Sequence, residues 1–224
     1  MSFEVQVFPS DRYPTSVAAI VAANLPQAGG SLILTGGTTA QKVYPELSQR
    51  AEALRRLEIG FSDERCVPPD HDESNFKMAA DLLFDGKAPA GLHRMRGEDP
   101  PDEAAAAYGE AIRPLVNSGI DLLLLGMGAD AHVGAMFPSS PALDESEQLC
   151  RAVDRPDGMQ GLTLTPPAML SARTVLLLVT GESKAATVAR VIKGSEPIEK
   201  CPARLLATHP DVAFLLDEPA ASAL

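Results

Sequence analysis

The chain has no tryptophan, few aromatic residues (4%), and fewer basic than acidic side chains: 19 Lys+Arg against 30 Asp+Glu, a net charge of −11. A surface that stacks bases needs aromatic rings, and one that follows a phosphate backbone needs a basic footprint, so nucleic acid is excluded as a partner. Cysteine is scarce too. Cys66, Cys150 and Cys201 are scattered and form no C-x-x-C pair, which excludes a disulfide framework. Long apolar runs are missing. The longest early one, residues 17–23, falls well short of the ~18 residues of a membrane helix, and no basic segment precedes it. These absences predict a soluble, cytoplasmic protein with no membrane partner. The acidic balance also repels anionic metabolites, so any anion site must be built locally.

What is present is ordinary globular composition: 224 residues, 45% apolar and 22% charged. That length suits one domain, residues 1–224, with or without a small lobe. Strand-like runs at 3–8, 31–35, 57–62, 120–125, 173–180 and 212–216 alternate with helical spacing at 14–25, 39–54, 75–84, 102–117 and 182–192. Thr38 or Thr39 is expected to cap the second helix, Ser74 the third, and Gly119 to stop the fourth. The runs IDLLLL and RTVLLLVT are nearly continuously apolar, as strands covered on both faces are. Together these features predict an α/β, Rossmann-like, mostly parallel sheet with helices on both faces. Residues 138–160 read as a long irregular connection that carries part of a site or of a lobe.

In such a sheet ligands bind beyond the C-terminal ends of the strands. Three segments at expected strand ends are chemically loaded. In Thr35-Gly36-Gly37-Thr38-Thr39 the glycines admit a ligand close to the backbone, and the N–H groups of a helix start favour an anion; a plain capped turn fits the same letters. Ser62-Asp63-Glu64-Arg65 is either part of a site or a surface ion pair worth well under ~1 kcal/mol. Gly126-Met127-Gly128-Ala129-Asp130-Ala131-His132 has the G-x-G-x-x-A letters of a dinucleotide loop, but Gly134, Pro138 and Pro141 leave no room for the helix that loop requires. It is better read as a glycine-rich loop presenting Asp130 and His132, which project to one side if the segment is extended. His71, His93 and His209 stand apart without metal-ligand spacing, so no metal site is expected. Cys66 reads as a bland half-buried thiol. Lys184, in the first turn of a helix, is either a solvated lysine or a cation held there for an anion.

Five segments in this order, TGGTTAQKVYPEL (35–47), FSDERCVPPDHDESNFKMA (61–79), DLLLLGMGADAHVGAMFP (121–138), LVTGESKA (178–185) and CPARLL (201–206), resemble the 6-phosphogluconolactonase family, relatives of glucosamine-6-phosphate deaminase. The resemblance implies hydrolysis of 6-phospho-D-glucono-1,5-lactone without metal or cofactor, by a monomer or weak homodimer. It assigns His132 as general base, with Asp130 and Asp63 orienting the imidazole and the sugar hydroxyls in an order left open. Arg65 is assigned to negative charge on the substrate, and Gly36, Gly37, Thr38, Thr39, Lys184 and Arg204 to the phosphate.

Three positions depart from the family pattern. Ala131 stands where glycine is usual and is strained if the backbone there has positive φ. Ala40 replaces a proline. Gly161 replaces an arginine before LTLT, so a phosphate or sugar contact is either missing or supplied by a neighbour such as Arg155.

Two other functions compete. A deaminase would need a further acidic residue after the Asp-x-His loop, and the segment 133–138 lacks the Asn-Glu-Pro ending of that branch; Arg65 also breaks the resemblance to its Asp-Glu-Tyr. A non-catalytic sugar-phosphate sensor normally comes with a DNA-binding module, for which this chain offers no helix-turn-helix candidate.

Overall fold

A computed structural model describes residues 3–27, 29–84, 86–89 and 91–224. The first half contains β1 (Glu4–Phe8), α1 (Tyr13–Ala23), β2 (Ser31–Leu34), α2 (Gly37–Leu47), α3 (Ala51–Leu54), β3 (Glu58–Phe61), β4 (Asp63–Arg65), α4 (Asn75–Leu82), β5 (Gly91–Leu92) and α5 (Pro101–Ser118). The second half contains β6 (Leu122–Gly126), β7 (Cys150–Asp154), β8 (Gln160–Leu164), α6 (Pro166–Leu170), β9 (Thr174–Val179), α7 (Ala185–Lys193), β10 (Val212–Asp217) and α8 (Glu218–Ala221). None of these helices is long and apolar enough to cross a membrane.

The large sheet has the order β1-β10-β9-β6-β2-β3-β5, and every pairing in it is parallel. Its central strands explain the unbroken apolar runs. Leu122 and Leu124 of β6 pack into one core cluster with Tyr13, Val17, Val43 and Tyr44 of α1 and α2. Leu123 and Leu125 pack into the other, with Tyr108 and Ile112 of α5 and Val188 of α7. A strand buried on both faces has no position to give to a polar residue. The α/β architecture read from the sequence is the one observed.

The strand order reverses between β2 and β6. From β2 the chain works outward through β3 to β5, and from β6 it works the other way through β9 to β10. Connections leave in opposite directions at that point, so a crevice opens above the C-terminal ends of the two strands. All three chemically loaded segments lie beside it.

Several expectations are corrected. The predicted helix to residue 54 ends at Leu47, followed by a 3-10 turn and the short α3. There the Ser48 hydroxyl donates to the Pro45 carbonyl (2.7 Å) and competes with the helical ladder. The last predicted helix begins as a 3-10 turn, Glu182–Lys184, so Lys184 is the residue that caps α7 rather than part of its first turn. Residues 138–160 are not wholly irregular: β7 lies within them and pairs antiparallel with β8, which pairs antiparallel with β4 in a separate three-stranded sheet. Two expected helix signals hold. Ser74 accepts from the Lys77 N–H at the start of α4, and Gly119, at φ +82°, ends α5.

Candidate active site

The crevice is a cleft of about 180 Å³, open to solvent. On one side is the turn after β2. Thr35 is tied down by Tyr44, whose hydroxyl donates to the Thr35 carbonyl (2.6 Å), and its own side chain accepts from the Gly126 N–H (3.0 Å) at the end of β6. Gly36 is the N-cap of α2 and Gly37 has φ +90°. The expected threonine cap is absent: no side chain caps α2, and Thr39 Oγ1 instead lies 2.9 Å from Thr180 Oγ1 at the end of β9. The first N–H groups of α2 are therefore left for a ligand, with the positive end of the helix dipole behind them.

Lys184 lines the same cleft. The turn that carries it is pinned by the Gly181 N–H, which donates to both oxygens of Asp217 (2.9 and 3.1 Å). Its ammonium has no ion pair or side-chain hydrogen bond among the described residues. Burial pulls the lysine below its ordinary value, and the Asp130 charge opposes that only in part. A desolvated cation without a partner is suited to an anionic ligand.

On the other side is the loop after β6. It is not extended but a tight turn: the Gly128 N–H donates to the His132 carbonyl (2.9 Å) and the Ala131 N–H to the Gly128 carbonyl (3.1 Å). No helix follows it. The turn puts buried Ala131 at φ +70°, a conformation a Cβ disfavours. It also lays the imidazole against Gly128, where a Cβ would come within 2.1 Å of His132 Nδ1. Only glycine fits there. Asp130 Oδ1 lies 2.6 Å from His132 Nδ1 and also accepts from the His132 backbone N–H (3.2 Å). Burial pushes the Asp130 carboxyl up, but the hydrogen bond and charge of His132 outweigh it and hold the group at about 2. Ionised Asp130 can only accept a hydrogen bond, so in the neutral imidazole it favours the proton on Nδ1 and leaves the Nε2 lone pair free.

Asp63 and Glu64 point to opposite sides of β4. Asp63 lines the cleft; it accepts from the Ser62 hydroxyl (2.7 Å) and the Asn75 amide (3.1 Å) and makes no hydrogen bond to His132. Glu64 is buried and pairs with no arginine. It accepts from the N–H groups of Arg65, Asn75 and Phe76 and from the Ser74 hydroxyl at 2.7–3.0 Å. Burial raises its carboxyl, and these donors partly offset that. Arg65 lines the cleft, held by the Glu73 carbonyl and carboxylate, and its Nε is buried without a hydrogen-bond partner among the described residues.

Arg204 does not belong to this group. Its Nη1 donates to the carbonyls of Val191 and Gly194, closing the end of α7, and it does not line the cleft. A lone arginine after a proline gives no sign of which carbonyls it will find. The remaining histidines are engaged elsewhere: His71 with the Glu73 N–H, His93 with Glu58, and buried His209 with the Ala172 carbonyl. Burial pushes the half-buried Cys66 thiol up, as expected of an unreactive cysteine. Sequence reasoning missed Thr180 and Asn75. Nothing marks Thr180 in the letters, whereas Asn75 beside the Ser74 cap was a readable signal for a buried polar anchor.

Comparison with known proteins adds the following. A family model described as glucosamine-6-phosphate isomerases/6-phosphogluconolactonase matches residues 13–214. A 6-phosphogluconolactonase of Mycobacterium bovis is 33% identical over 100% of this chain and 99% of its own length. That of Homo sapiens is 35% identical over 87% of this chain and 80% of its own. The structure of 6-phosphogluconolactonase from Trypanosoma cruzi superposes with a TM-score of 0.89 at 26% identity, over 100% of this chain and 98% of that one.

Proposed function

Because the chain belongs to the glucosamine-6-phosphate isomerase/6-phosphogluconolactonase family, we propose that it hydrolyses 6-phospho-D-glucono-1,5-lactone to 6-phosphogluconate, a step of the pentose phosphate pathway, with His132 as the base. The observation that carries this reading is the 2.6 Å bond from Asp130 to His132 Nδ1, in one cleft with the uncapped start of α2 and unpaired Lys184.

A lactone carbonyl is already electrophilic, so catalysis needs an activated water, charge stabilisation and a grip on the phosphate. His132 Nε2 takes a proton from water as its oxygen bonds to C1. The carbonyl oxygen becomes negative, and Arg65 offsets that charge. The C1–ring-oxygen bond then breaks, and the imidazolium returns its proton to the departing ring oxygen. The new carboxylic acid loses a proton to solvent. Asp130 positions the imidazole and fixes its tautomer. Asp63 orders sugar hydroxyls. The N–H groups at Gly36, Gly37 and Thr38, the Thr39 hydroxyl and Lys184 take the phosphate. The protein acts on this small anion in the cytoplasm, as a monomer or weak homodimer of a single domain, without nucleic acid or membrane.

The test is a pH-controlled assay on freshly made lactone. His132→Ala lowers kcat by about 10²–10⁴-fold, the usual worth of a general base, and leaves phosphate affinity intact. Near-native turnover by that variant would put the base elsewhere. Ammonia release from glucosamine 6-phosphate would favour the deaminase reading instead, and 6-phosphogluconate binding with no acceleration of lactone loss would favour a sensor.

A further inference from the structure

Arg155 stands at the start of the turn joining β7 to β8, a place where an arginine usually extends into solvent. Here its side chain is only 12% exposed. It lies back over β8, in space left by Gly161: a Cβ at that glycine would come within 3.0 Å of Arg155 Cδ and 3.1 Å of the Glu64 carbonyl. Asp157 grips the guanidinium through Nε and Nη2 (2.8 Å at Nη2), and is itself fixed by the Met159 N–H (3.1 Å). Nη1 makes no hydrogen bond among the described residues. The guanidinium rests 5.5 Å from the Phe137 ring centroid, and that ring lies 4.5 Å from the His132 ring. Arg155 also lines the cleft. Gly161 is the register partner of Arg65, so the two arginines share one corner.

We infer that Arg155 is a substrate-contacting residue that binds the oxygens on C1, the end of the sugar phosphate where the bond is broken. This rests on the proposed lactonase reading. The contact of Arg155 with the Phe137 ring, and of that ring, tilted by 53°, with His132, puts the guanidinium at the reacting end. The phosphate has its own donors, in α2 and Lys184. With the stem packed and two nitrogens clamped before substrate arrives, little rotamer freedom is left to lose on binding. The free Nη1 can donate to the oxygen that becomes negative when water adds, and to the carboxylate of the product. Asp157 and Gly161 are positioning residues: one fixes the fork and the other makes room for the stem.

The test uses Arg155→Met, which keeps the stem over Gly161 and Phe137 and removes the charge. Its kcat on the lactone is expected to fall about 10- to 100-fold, somewhat less than the loss of a full oxyanion donor because Arg65 remains. By calorimetry, 6-phosphogluconate should bind about tenfold more weakly, while glucose 6-phosphate, which has the phosphate but no C1 carboxylate, binds as before. Asp157→Asn should show part of the same loss, and none when added to Arg155→Met. Unchanged turnover and product affinity in Arg155→Met would overturn the inference, as would equal weakening of both ligands. The native protein run alongside separates the two readings: if it neither hydrolyses the lactone nor binds 6-phosphogluconate, the proposed function fails. If it does both and the variant matches it, only the role of Arg155 fails.

Discussion

The cleft joins two regions with different construction. Its glycine-turn and imidazole side comes from the ends of β2, β6 and β9, adjacent parallel strands of the large sheet. Its arginine side comes from β4 and from the turn after β7, in the small antiparallel sheet. The first region is built by local backbone: a helix start without a cap, a tight turn around Gly128, and a carboxylate two residues from the ring it holds. The second is built by distant contacts, with Glu64 gripping the start of α4 and Gly161 facing Arg65 across the strands. A change in the first should therefore affect rate or affinity with little effect on stability. A change in the second should affect stability as well.

The sharpest break, after His132 itself, is Asp130→Asn. An amide no longer forces the proton onto Nδ1, so kcat is expected to fall by about 10²–10³-fold while the melting temperature barely moves. A rate loss of only a few-fold would mean the tautomer is set by something else. On the other side, Glu64→Gln places an NH2 group among four buried donors. Unfolding free energy should drop by about 1–3 kcal/mol in denaturant titration, with activity reduced because Asn75 and Asp63 lose their support. An unchanged midpoint would show that the small sheet does not depend on this carboxylate.

Lys184→Ala is expected to raise KM about tenfold, a loss of ~1.4 kcal/mol, with kcat retained. The native enzyme should also show a KM that climbs with pH before the ordinary lysine value of 10.5 is reached. The sign follows from burial: a lowered pKa means the ammonium is present below it and is lost earlier as pH rises, taking its share of phosphate affinity with it. The variant should lack that alkaline rise, and a KM indifferent to both changes would leave Lys184 without a role in binding. The smallest effect is expected of Ala131→Gly. Relieving a left-handed alanine gains about 1 kcal/mol at most, since glycine also loosens the unfolded chain. Clear destabilisation would mean that the buried Cβ matters more than the strain.

Much of the first region was legible. The double-glycine turn, Asp130, His132 and Lys184 were found because each sits next to an apolar run long enough to mark a strand, and parallel sheets gather such ends on one rim. Even there details differ: the positive φ raised for Ala131 is found, in the turn by which Asp130 meets His132, whereas Thr39 bonds to Thr180 rather than capping α2. In the second region Asp63, Arg65 and Arg155 were named, but the small sheet that carries them was hidden. β4 has three residues, and the β7 run CRAVD mixes polar and apolar letters. Short strands of this kind are defined by what they pair with, and β4 finds its partner β8 about 100 residues away, which leaves no local trace. Arg204 was misplaced for the same reason, since the carbonyls it closes lie on another element.

The sequence by itself determined the layered α/β architecture, the rim on which the cleft lies, and the histidine–aspartate pair and double-glycine turn found there. Hydrophobic periodicity and glycine placement are short-range constraints that a chain carries wherever it is. Only the tertiary structure decided which of two adjacent carboxylates faces the cleft, which arginines reach it, and that a missing Cβ at residue 161 makes room for one of them. Those outcomes depend on side-chain direction and on contact between segments far apart in the chain, and both exist only once the strands have paired.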